Sequence, residues 1–351
     1  MQALLGVLFH SIGGIAAGSF YMPYNKVKSW AWESFWILGG VFAWLVAPFL
    51  MAYFTFNQAF EVIWATERSV FWITFLMGLC WGIGGLTYGL GVRFLGMSLG
   101  NSVTLGFCSA FGALVPAIYN DFFPRLGHRS LTDMLASEGG RMVLWGVLVC
   151  ILGIAICGKA GMMKEAELSE EENKVSIKEF NLVKGLIIAT ISGILSSFFS
   201  YGIQFGTKIA EQSVLAGCPE LFKNNTVFVV ILWGGFTTNF LWTTFLSIKN
   251  QAYRNFFDHN TPIIKNTLFC ALAGTTWYLQ FFFYGMGESK LPDGGASSWI
   301  LHMSTIILTA NFWGIYQKEW RGVSFKTKAT IVAGITVILL SVVIVGIGNT
   351  R

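Results

Sequence analysis

The stretch that decides the fold is WGIGGLTYGLGVRFLGMSLG, residues 81–100. It joins the end of one apolar segment to the start of the next, through a predicted turn that carries a single cation, Arg93. A second stretch, WYLQFFFYGMGESKLPDGG at residues 277–295, repeats this design, and a shift of 196 positions (from 81 to 277) aligns the two. The aligned pairs are Gly78 with Gly274, Trp81 with Trp277, Tyr88 with Tyr284, Gly89 with Gly285 and Gly91 with Gly287. Self-similarity at a fixed spacing indicates an internal duplication.

The composition around these stretches is that of a membrane protein. Of the 351 residues, 54% are hydrophobic and 12% are charged, whereas a soluble domain has about 25% charged residues. The 40 glycines suit closely packed transmembrane helices. The net charge of +5 comes without a Lys/Arg-rich block, so nothing indicates nucleic-acid binding. The six cysteines form no CxxC pair, and we interpret them as small apolar core residues.

Ten apolar segments are long enough to cross the hydrocarbon core, which takes about 20 residues of helix. Continuous apolar runs favour helices over alternating strands, and in lipid only helices or closed barrels satisfy their backbone polar groups. The predicted segments are Leu4–Tyr24, Trp36–Phe54, Phe71–Gly91, Met97–Tyr119, Met142–Gly158, Leu182–Ile203, Thr226–Leu246, Thr267–Gly287, Ser298–Tyr316 and Ala329–Ile347. The first has no basic region before it and no clear cleavage site, so we read it as a helix and not as a signal peptide.

A charged interval divides the ten segments into two sets of five. We predict a first five-helix repeat at 1–160, a charged cytoplasmic linker at 161–181 and a second five-helix repeat at 182–351. Because five is odd, a duplicated half enters the membrane in the opposite orientation, as in many secondary transporters. The predicted fold is therefore an all-α integral membrane protein with ten transmembrane helices as two inverted repeats.

The distribution of basic residues predicts the orientation. Of the 23 lysines and arginines, 15 lie in loops that follow odd-numbered segments, and 8 lie in loops that follow even-numbered segments or at the C-terminus. Loops rich in Lys and Arg stay in the cytoplasm. Both termini are therefore expected on the periplasmic side.

Polar residues inside the predicted spans are the candidates for substrate binding, because burying them in lipid is costly. Gln280 lies three residues from Trp277 and four from Tyr284, so the three share a helix face. Aromatic faces against C–H groups, with an amide for hydroxyls, are typical of a site for a neutral sugar; helix packing is the alternative. The repeat mates Trp81 and Tyr88 should approach the same central site from the opposite side if the halves meet there. Further candidates are Asn239, Asn101, Ser98 and Asn311.

Three titratable residues are candidates for proton coupling: His10 in segment one, His302 in segment nine and Glu33 at the mouth of segment two. An unperturbed imidazole has a pKa of about 6.5, so either histidine could take up and release a proton. The alternatives are structural histidines bonded to a neighbouring helix, and for Glu33 a surface charge near Lys26 and Lys28. No Asp or Glu lies in the middle of a predicted span.

Seven motifs spread over the whole chain resemble the signature of the L-rhamnose–proton symporters, which belong to the drug/metabolite transporter superfamily. They are FYMPYNKVKSWAWE at 20–33, WGIG at 81–84, YGL at 88–90, RFLGMS at 93–98, EGGRM at 138–142, WYLQFFFY at 277–284 and SWILHMS at 298–304. The resemblance implies a ten-helix inverted-repeat fold and uptake of a deoxy-hexose with a proton across a bacterial inner membrane. The implied partners are L-rhamnose or a similar sugar, a proton and the lipid bilayer.

Three other functions stay open beside proton-coupled sugar uptake. They are a small-metabolite exporter of the same fold, an uncoupled channel or sugar facilitator, and a membrane enzyme or structural subunit. The chain has no G-x-S-x-G, H-E-x-x-H, phosphate loop or zinc spacing, so we predict that it is not an enzyme and holds no metal or cofactor. Alternating access would come from one five-helix half rocking against the other.

Overall fold

The structure is a computed structural model of the chain, and it describes residues 2–123, 130–168, 180–258, 260–290 and 295–349. From the N-terminus, the elements are α1 (Gln2–Ser19), α2 (Tyr21–Tyr24), α3 (Trp32–Gly40), a π-helical turn (Val41–Val46), α4 (Ala47–Thr55), α5 (Ala59–Ala65), α6 (Arg68–Phe122), α7 (Leu131–Ala136) and α8 (Glu138–Glu167). They continue with α9 (Leu182–Ser196), α10 (Phe198–Phe205), α11 (Thr207–Leu215), a 3₁₀ turn (Glu220–Phe222), α12 (Asn224–Lys249), a second 3₁₀ turn (Ala252–Phe257), α13 (Ile263–Glu288), α14 (Gly295–Tyr316) and α15 (Phe325–Asn349). No strand occurs in these described ranges.

Eight helical stretches in the described part of the chain are long and apolar enough to cross a membrane. They are Leu4–Tyr24, Trp32–Thr55, Arg68–Gly96, Ser98–Phe122, Glu138–Glu167, Leu182–Leu215, Glu220–Lys249 and Phe325–Gly348. Helices α13 and α14 coincide with the predicted segments eight and nine but are not among the eight. In α13, Trp277, Tyr278 and Gln280 lower the mean hydropathy. The all-helical membrane fold is confirmed, and the count of ten spans stays a prediction.

The predicted turn near Arg93 is a break at one residue. Helix α6 continues through Arg93, and Gly96 interrupts it with φ 83° and ψ 173°. Only glycine adopts a positive φ without steric cost, so this residue allows the chain to leave one helix and begin the next within two residues. The two arms of α6, Arg68–Gly96 and Ser98–Phe122, are therefore longer than the predicted segments.

Local sequence explains where two other helices begin. Ser137 accepts a hydrogen bond from the Gly140 N–H at 3.1 Å and begins α8, and Asn181 accepts one from the Lys184 N–H at 3.0 Å and begins α9. Such side chains satisfy N–H groups that the first helical turn leaves free. Helix α8 extends to Glu167, so the predicted linker at 161–181 begins as helix. Residues 169–179 of that linker lie outside the described residues.

The chain forms two compact units, which differ from the two sequence halves. Unit 1 consists of Met1–Ile83 and Phe198–Lys290, and unit 2 consists of Gly84–Ser197 and Leu291–Arg351. Each unit takes helices from both halves, because helices far apart in sequence pack against each other within it. The duplication itself stays a prediction.

Unit 1 is held together by close helix crossings at glycines. A Cβ built on Gly78 of α6 would lie 2.0 Å from the carbonyl oxygen of Ile231 in α12, and one on Gly234 would lie 2.2 Å from that of Phe75. A Cβ on Gly274 of α13 would lie 2.2 Å from the carbonyl oxygen of Gly39 in α3. Small residues let membrane helices approach to backbone contact, which maximises van der Waals packing where no hydrophobic effect drives association.

Unit 2 uses the same principle for its largest helix pair, α8 with α15. A Cβ on Gly153 would lie 2.8 Å from the backbone nitrogen of Ile338, and one on Gly334 would lie 2.9 Å from that of Cys157. Both crossings bring the two backbones into contact, so side chains larger than glycine do not fit there.

Candidate functional site

An aromatic cluster lies in unit 1 and includes both tryptophans of the repeated stretch. We call Trp44, Trp81, Phe199, Trp277 and Phe281 the aromatic cluster. The rings of Trp81 and Trp277 stack with centroids 5.6 Å apart and an interplanar angle of 29°. Phe281 lies 4.9 Å from Trp277 and 4.3 Å from Phe199, which lies 5.1 Å from Trp81. Two tryptophans far apart in sequence thus form one aromatic surface.

Gln280 lies within the same stretch of α13 and is buried. Its Nε2 donates a hydrogen bond to the carbonyl oxygen of Trp277 at 3.0 Å. This is its one hydrogen bond to the described residues, so its Oε1 is left free to accept one. An amide oxygen without a partner among the described residues is suited to a ligand hydroxyl.

Tyr284 and Tyr88 occupy different surroundings from the stacked tryptophans. Tyr284 is buried in unit 1, with its ring 5.3 Å from that of His10 and 6.4 Å from that of Phe228. Tyr88 belongs to unit 2, where its hydroxyl donates to Asn101 Oδ1. Of the four aromatic repeat mates, the structure joins Trp81 and Trp277 in one cluster.

Asn239 is buried in α12, and its amide is fully used in helix packing. Its Oδ1 accepts from the Nε1 of Trp36 at 3.1 Å. Its Nδ2 donates to the carbonyl oxygens of Gly82 at 3.0 Å and Gly235 at 2.9 Å. The amide therefore ties α3, α6 and α12 together, which is the packing alternative considered for such polar residues.

The remaining polar candidates lie in unit 2, where a cluster of hydrogen-bonded polar side chains surrounds the start of the second arm of α6. The Oγ of Ser98 donates to Asn311 Oδ1, and Asn311 Nδ2 donates to the Oγ of Ser102 at 3.1 Å. Asn101 accepts from Tyr88 in the same unit. Asn101, Ser98 and Asn311 are all buried and bonded to other side chains.

The three candidates for proton coupling are all buried. His10 of α1 packs on Tyr284 and on Gly287, where a Cβ would lie 2.7 Å from His10 Nε2. His302 of α14 is buried in unit 2. Glu33 is 9% exposed and accepts from Asn250 Nδ2 at 2.5 Å. The surface-charge alternative for Glu33 is therefore wrong, because its carboxylate is buried and bonded within unit 1.

Sequence reasoning missed two buried charged residues of unit 2, Lys164 and Glu319, which a hydrogen bond joins. Lys164 is 2% exposed, and its Nζ donates to the carbonyl oxygen of Glu319 at 2.7 Å. The rings of Phe180 and Trp320 lie 5.2 and 5.3 Å from the same nitrogen. The carboxylate of Glu319 accepts from the backbone N–H of Ser98 at 3.0 Å, at the start of the second arm of α6.

A periodic signal could have located Lys164. The buried face of α8 runs through Ile154, Cys157 and Gly161 at spacings of three and four residues, and Lys164 is the next position of that series. The sequence interpretation placed Lys164 in a solvated linker because it lies among glutamates. At Lys164, helical periodicity is therefore a better predictor of burial than the charge of the neighbouring residues. In the described residues, no group of three or more His, Cys, Asp or Glu side chains could hold a metal ion.

These features define a class of protein: a multi-pass helical membrane protein with buried polar and titratable side chains inside its spans, as transport proteins have. The chain belongs to the L-rhamnose-proton symport protein (RhaT) family, whose model matches residues 1–351. This family consists of transporters and not enzymes. The resemblance found in the sequence motifs is thereby confirmed.

Two relatives illustrate the similarity. An L-rhamnose-proton symporter of Yersinia pestis (strain Pestoides F) is 35% identical over 349 residues, which cover 98% of both chains. An L-rhamnose-proton symporter of Salmonella gallinarum (strain 287/91 / NCTC 13346) is 35% identical over 350 residues, which cover 99% of this chain and 98% of the relative.

Proposed function

We propose that this protein takes up L-rhamnose, or a closely related deoxy-hexose or pentose, together with a proton by alternating access across a bacterial inner membrane. The observation that carries the proposal is the family match over residues 1–351. Full-length relatives named for L-rhamnose-proton symport support it.

The proposed sugar site centres on the stacked pair Trp81 and Trp277, with Gln280 beside it. A pyranose presents C–H groups on its faces and hydroxyls at its edges. The stacked indoles supply an apolar surface for the former, and the free Oε1 of Gln280 supplies an acceptor for the latter. Asn239 contributes by holding Trp36 and α6 in place, since its amide is already engaged. Tyr284, Tyr88 and Asn101 stay candidates from sequence.

The proposed proton carriers are His302, His10 and Glu33. His10 is the candidate nearest in contact to the repeated stretch, because it packs on Tyr284 one turn beyond Gln280. Protonation that favours sugar binding must be matched by sugar binding that favours protonation, since coupling between two ligands is reciprocal. Loss of the proton on the cytoplasmic side then weakens the sugar site.

The proposed fold has ten spans as two inverted repeats, with both termini periplasmic. The glycine crossings support the duplication: the repeat mates Gly78 and Gly274 each contact the backbone of another helix, Gly78 that of α12 and Gly274 that of α3. The shift of 196 positions that aligns Gly78 with Gly274 also places α3 on α12, so the two contacted helices are themselves equivalent. The excess of Lys and Arg in loops after odd-numbered spans supports the orientation.

The proposal is tested by adding L-rhamnose to de-energised, lightly buffered cells that produce the protein, with a pH electrode in the medium. We expect alkalinisation of the medium that a protonophore abolishes. His302→Gln, His10→Gln and Glu33→Gln are then ranked by the same trace. Glu67→Gln is the matched control, because Glu67 is an exposed carboxylate outside the spans.

The alternatives give different results in this experiment. Uptake of labelled L-rhamnose without a pH change would contradict proton coupling and indicate a facilitator. Absence of both would contradict L-rhamnose as the substrate. Efflux in oriented vesicles, without uptake, would indicate a small-metabolite exporter.

A further inference from the structure

Trp44 carries a buried hydrogen-bond donor that the protein itself does not use. The side chain is 5% exposed, and its Nε1 has no hydrogen-bond partner among the described residues. Two neighbouring buried tryptophans of unit 1 differ in this respect. Trp36 donates to Asn239 at 3.1 Å, and Trp30 donates to the hydroxyl of Thr261 at 3.4 Å. A buried donor without a hydrogen-bond partner costs about 1–3 kcal/mol of stability. The burial of this N–H therefore calls for an explanation.

The backbone at Trp44 is widened into a π-helical turn, Val41–Val46. The N–H of Ala47 donates to the carbonyl oxygen of Phe42, five residues back. Pro48 provides a local cause, because its ring would clash with the carbonyl of Trp44 in a regular α-helix. Single π-helical turns recur at functional sites in helices.

The indole of Trp44 belongs to the aromatic cluster. Its ring lies 5.6 Å from that of Trp277 at an interplanar angle of 85°, so it stands edge-on to the tryptophan that stacks on Trp81. Its other side packs on Gly40, where a Cβ would lie 2.5 Å from the Cζ3 of Trp44. The donor is thus fixed beside the proposed sugar-stacking surface.

We propose that the Nε1–H of Trp44 donates a hydrogen bond to a hydroxyl of the transported sugar. This inference rests on the proposed function and adds a donor to its site. An indole N–H can donate but not accept, so it complements the free Oε1 of Gln280, which can only accept. The indole N–H of Trp44 thus donates a hydrogen bond to one sugar hydroxyl, and the Oε1 of Gln280 accepts one from another. Trp81 and Trp277 cover the C–H face of the sugar.

The test is Trp44→Phe, which removes the N–H and keeps an aromatic ring in the cluster. Affinity of the purified protein for L-rhamnose is measured by isothermal titration, and stability by thermal unfolding without sugar. We expect the affinity to fall about ten- to a hundredfold, because the sugar hydroxyl loses its partner. We expect stability without sugar to be unchanged or higher, because a buried unsatisfied donor is removed. Trp72→Phe is the matched control, since Trp72 of the same unit is 60% exposed and should change neither quantity.

A set of monodeoxy analogues of L-rhamnose makes the test specific. One analogue should bind the wild-type protein weakly and bind Trp44→Phe no more weakly, because both changes remove the same hydrogen bond. If the losses from Trp44→Phe and from every analogue are additive, the inference is overturned.

The remaining outcomes separate this inference from the proposed function. Unchanged L-rhamnose affinity in Trp44→Phe overturns the inference alone. So does a large loss of stability without sugar, which would assign the N–H to the face of Trp277 as an N–H···π contact. A wild-type protein that binds no L-rhamnose overturns the proposed function as well.

Discussion

Gly78→Ala should destabilise unit 1, because the added methyl meets backbone and not a side chain. The Cβ would lie 2.0 Å from the carbonyl oxygen of Ile231. Carbon–oxygen contacts settle at about 3.3 Å, so α6 and α12 must separate by about 1.3 Å at this crossing.

The magnitude follows from that separation. A gap of about 1 Å already forfeits about half of the van der Waals energy of the atoms it parts, and overpacked interiors lose about 1–3 kcal/mol. We expect about 3 kcal/mol for Gly78→Ala, because a carbonyl oxygen cannot rotate away as a side chain can. The Trp81 ring, one turn further along α6, packs over Gly235, where a Cβ would lie 2.4 Å from its Cζ3. Affinity for L-rhamnose should therefore fall together with stability.

The assay is thermal unfolding of the detergent-purified protein, followed by the loss of its monodisperse size-exclusion peak. Gly274→Ala, the repeat mate, should be destabilised as strongly, because its Cβ would lie 2.2 Å from the carbonyl oxygen of Gly39. Gly158→Ala is the control, since a Cβ there meets nothing within 4 Å. In a helix interior that change is expected to stabilise by about 0.5–1 kcal/mol.

Two results would refute the reasoning. One is an unfolding temperature for Gly78→Ala equal to that of the wild type. The other is a loss for Gly158→Ala as large as that for Gly78→Ala, which would mean that any added methyl is harmful whatever it contacts.

Three further predictions concern single side chains. Asn239→Leu should cost about 1–3 kcal/mol in thermal unfolding, because the Trp36 N–H loses its acceptor; Asn239→Asp should also destabilise, because a carboxylate oxygen would replace the Nδ2 that donates to the carbonyl oxygens of Gly82 and Gly235, and an unchanged unfolding temperature for either variant would contradict this. Lys164→Met should cost about 1–3 kcal/mol by the same assay, because the main-chain carbonyl oxygen of buried Glu319 loses its hydrogen-bond donor; an unchanged unfolding temperature would contradict this. Burial raises the pKa of the Cys218 thiol to about 11, so the native protein should resist maleimide at pH 7.5 and react as the pH approaches that pKa. Mass spectrometry of labelled peptides measures this, and fast labelling of native Cys218 at pH 7.5 would contradict it.

The parts of the fold that depend on local sequence were predictable. Hydropathy over windows of about 20 residues is a local property, and all ten predicted segments begin inside a helix. Trp36–Phe54, for example, lies within the stretch from Trp32 to Thr55. The repeated spacing drew attention to Trp81 and Trp277, which stack in the structure. The break at Gly96 was less predictable, because membrane helices tolerate glycine and many glycines do not interrupt the helix that contains them.

The candidate site was predictable only in part, because hydrogen-bond partners come from distant positions. Asn239 and Gln280 look alike in sequence as amides inside apolar helices. In the structure the amide of Asn239 is engaged by Trp36, 203 residues away, whereas the Oε1 of Gln280 accepts from no described residue. Glu33 looked like a surface charge until its contact with Asn250 was known.

The sequence by itself determined that this chain is a helical membrane protein of the L-rhamnose-proton symport family, since hydropathy and motifs are written along the chain. Tertiary structure decided how the helices group into two compact units, because glycine crossings pair helices that are far apart in sequence. It also decided which buried polar atoms are already satisfied and which are free, as at Lys164 and Trp44. That distinction depends on three-dimensional contacts, and it separates residues that hold the protein together from those available to a substrate.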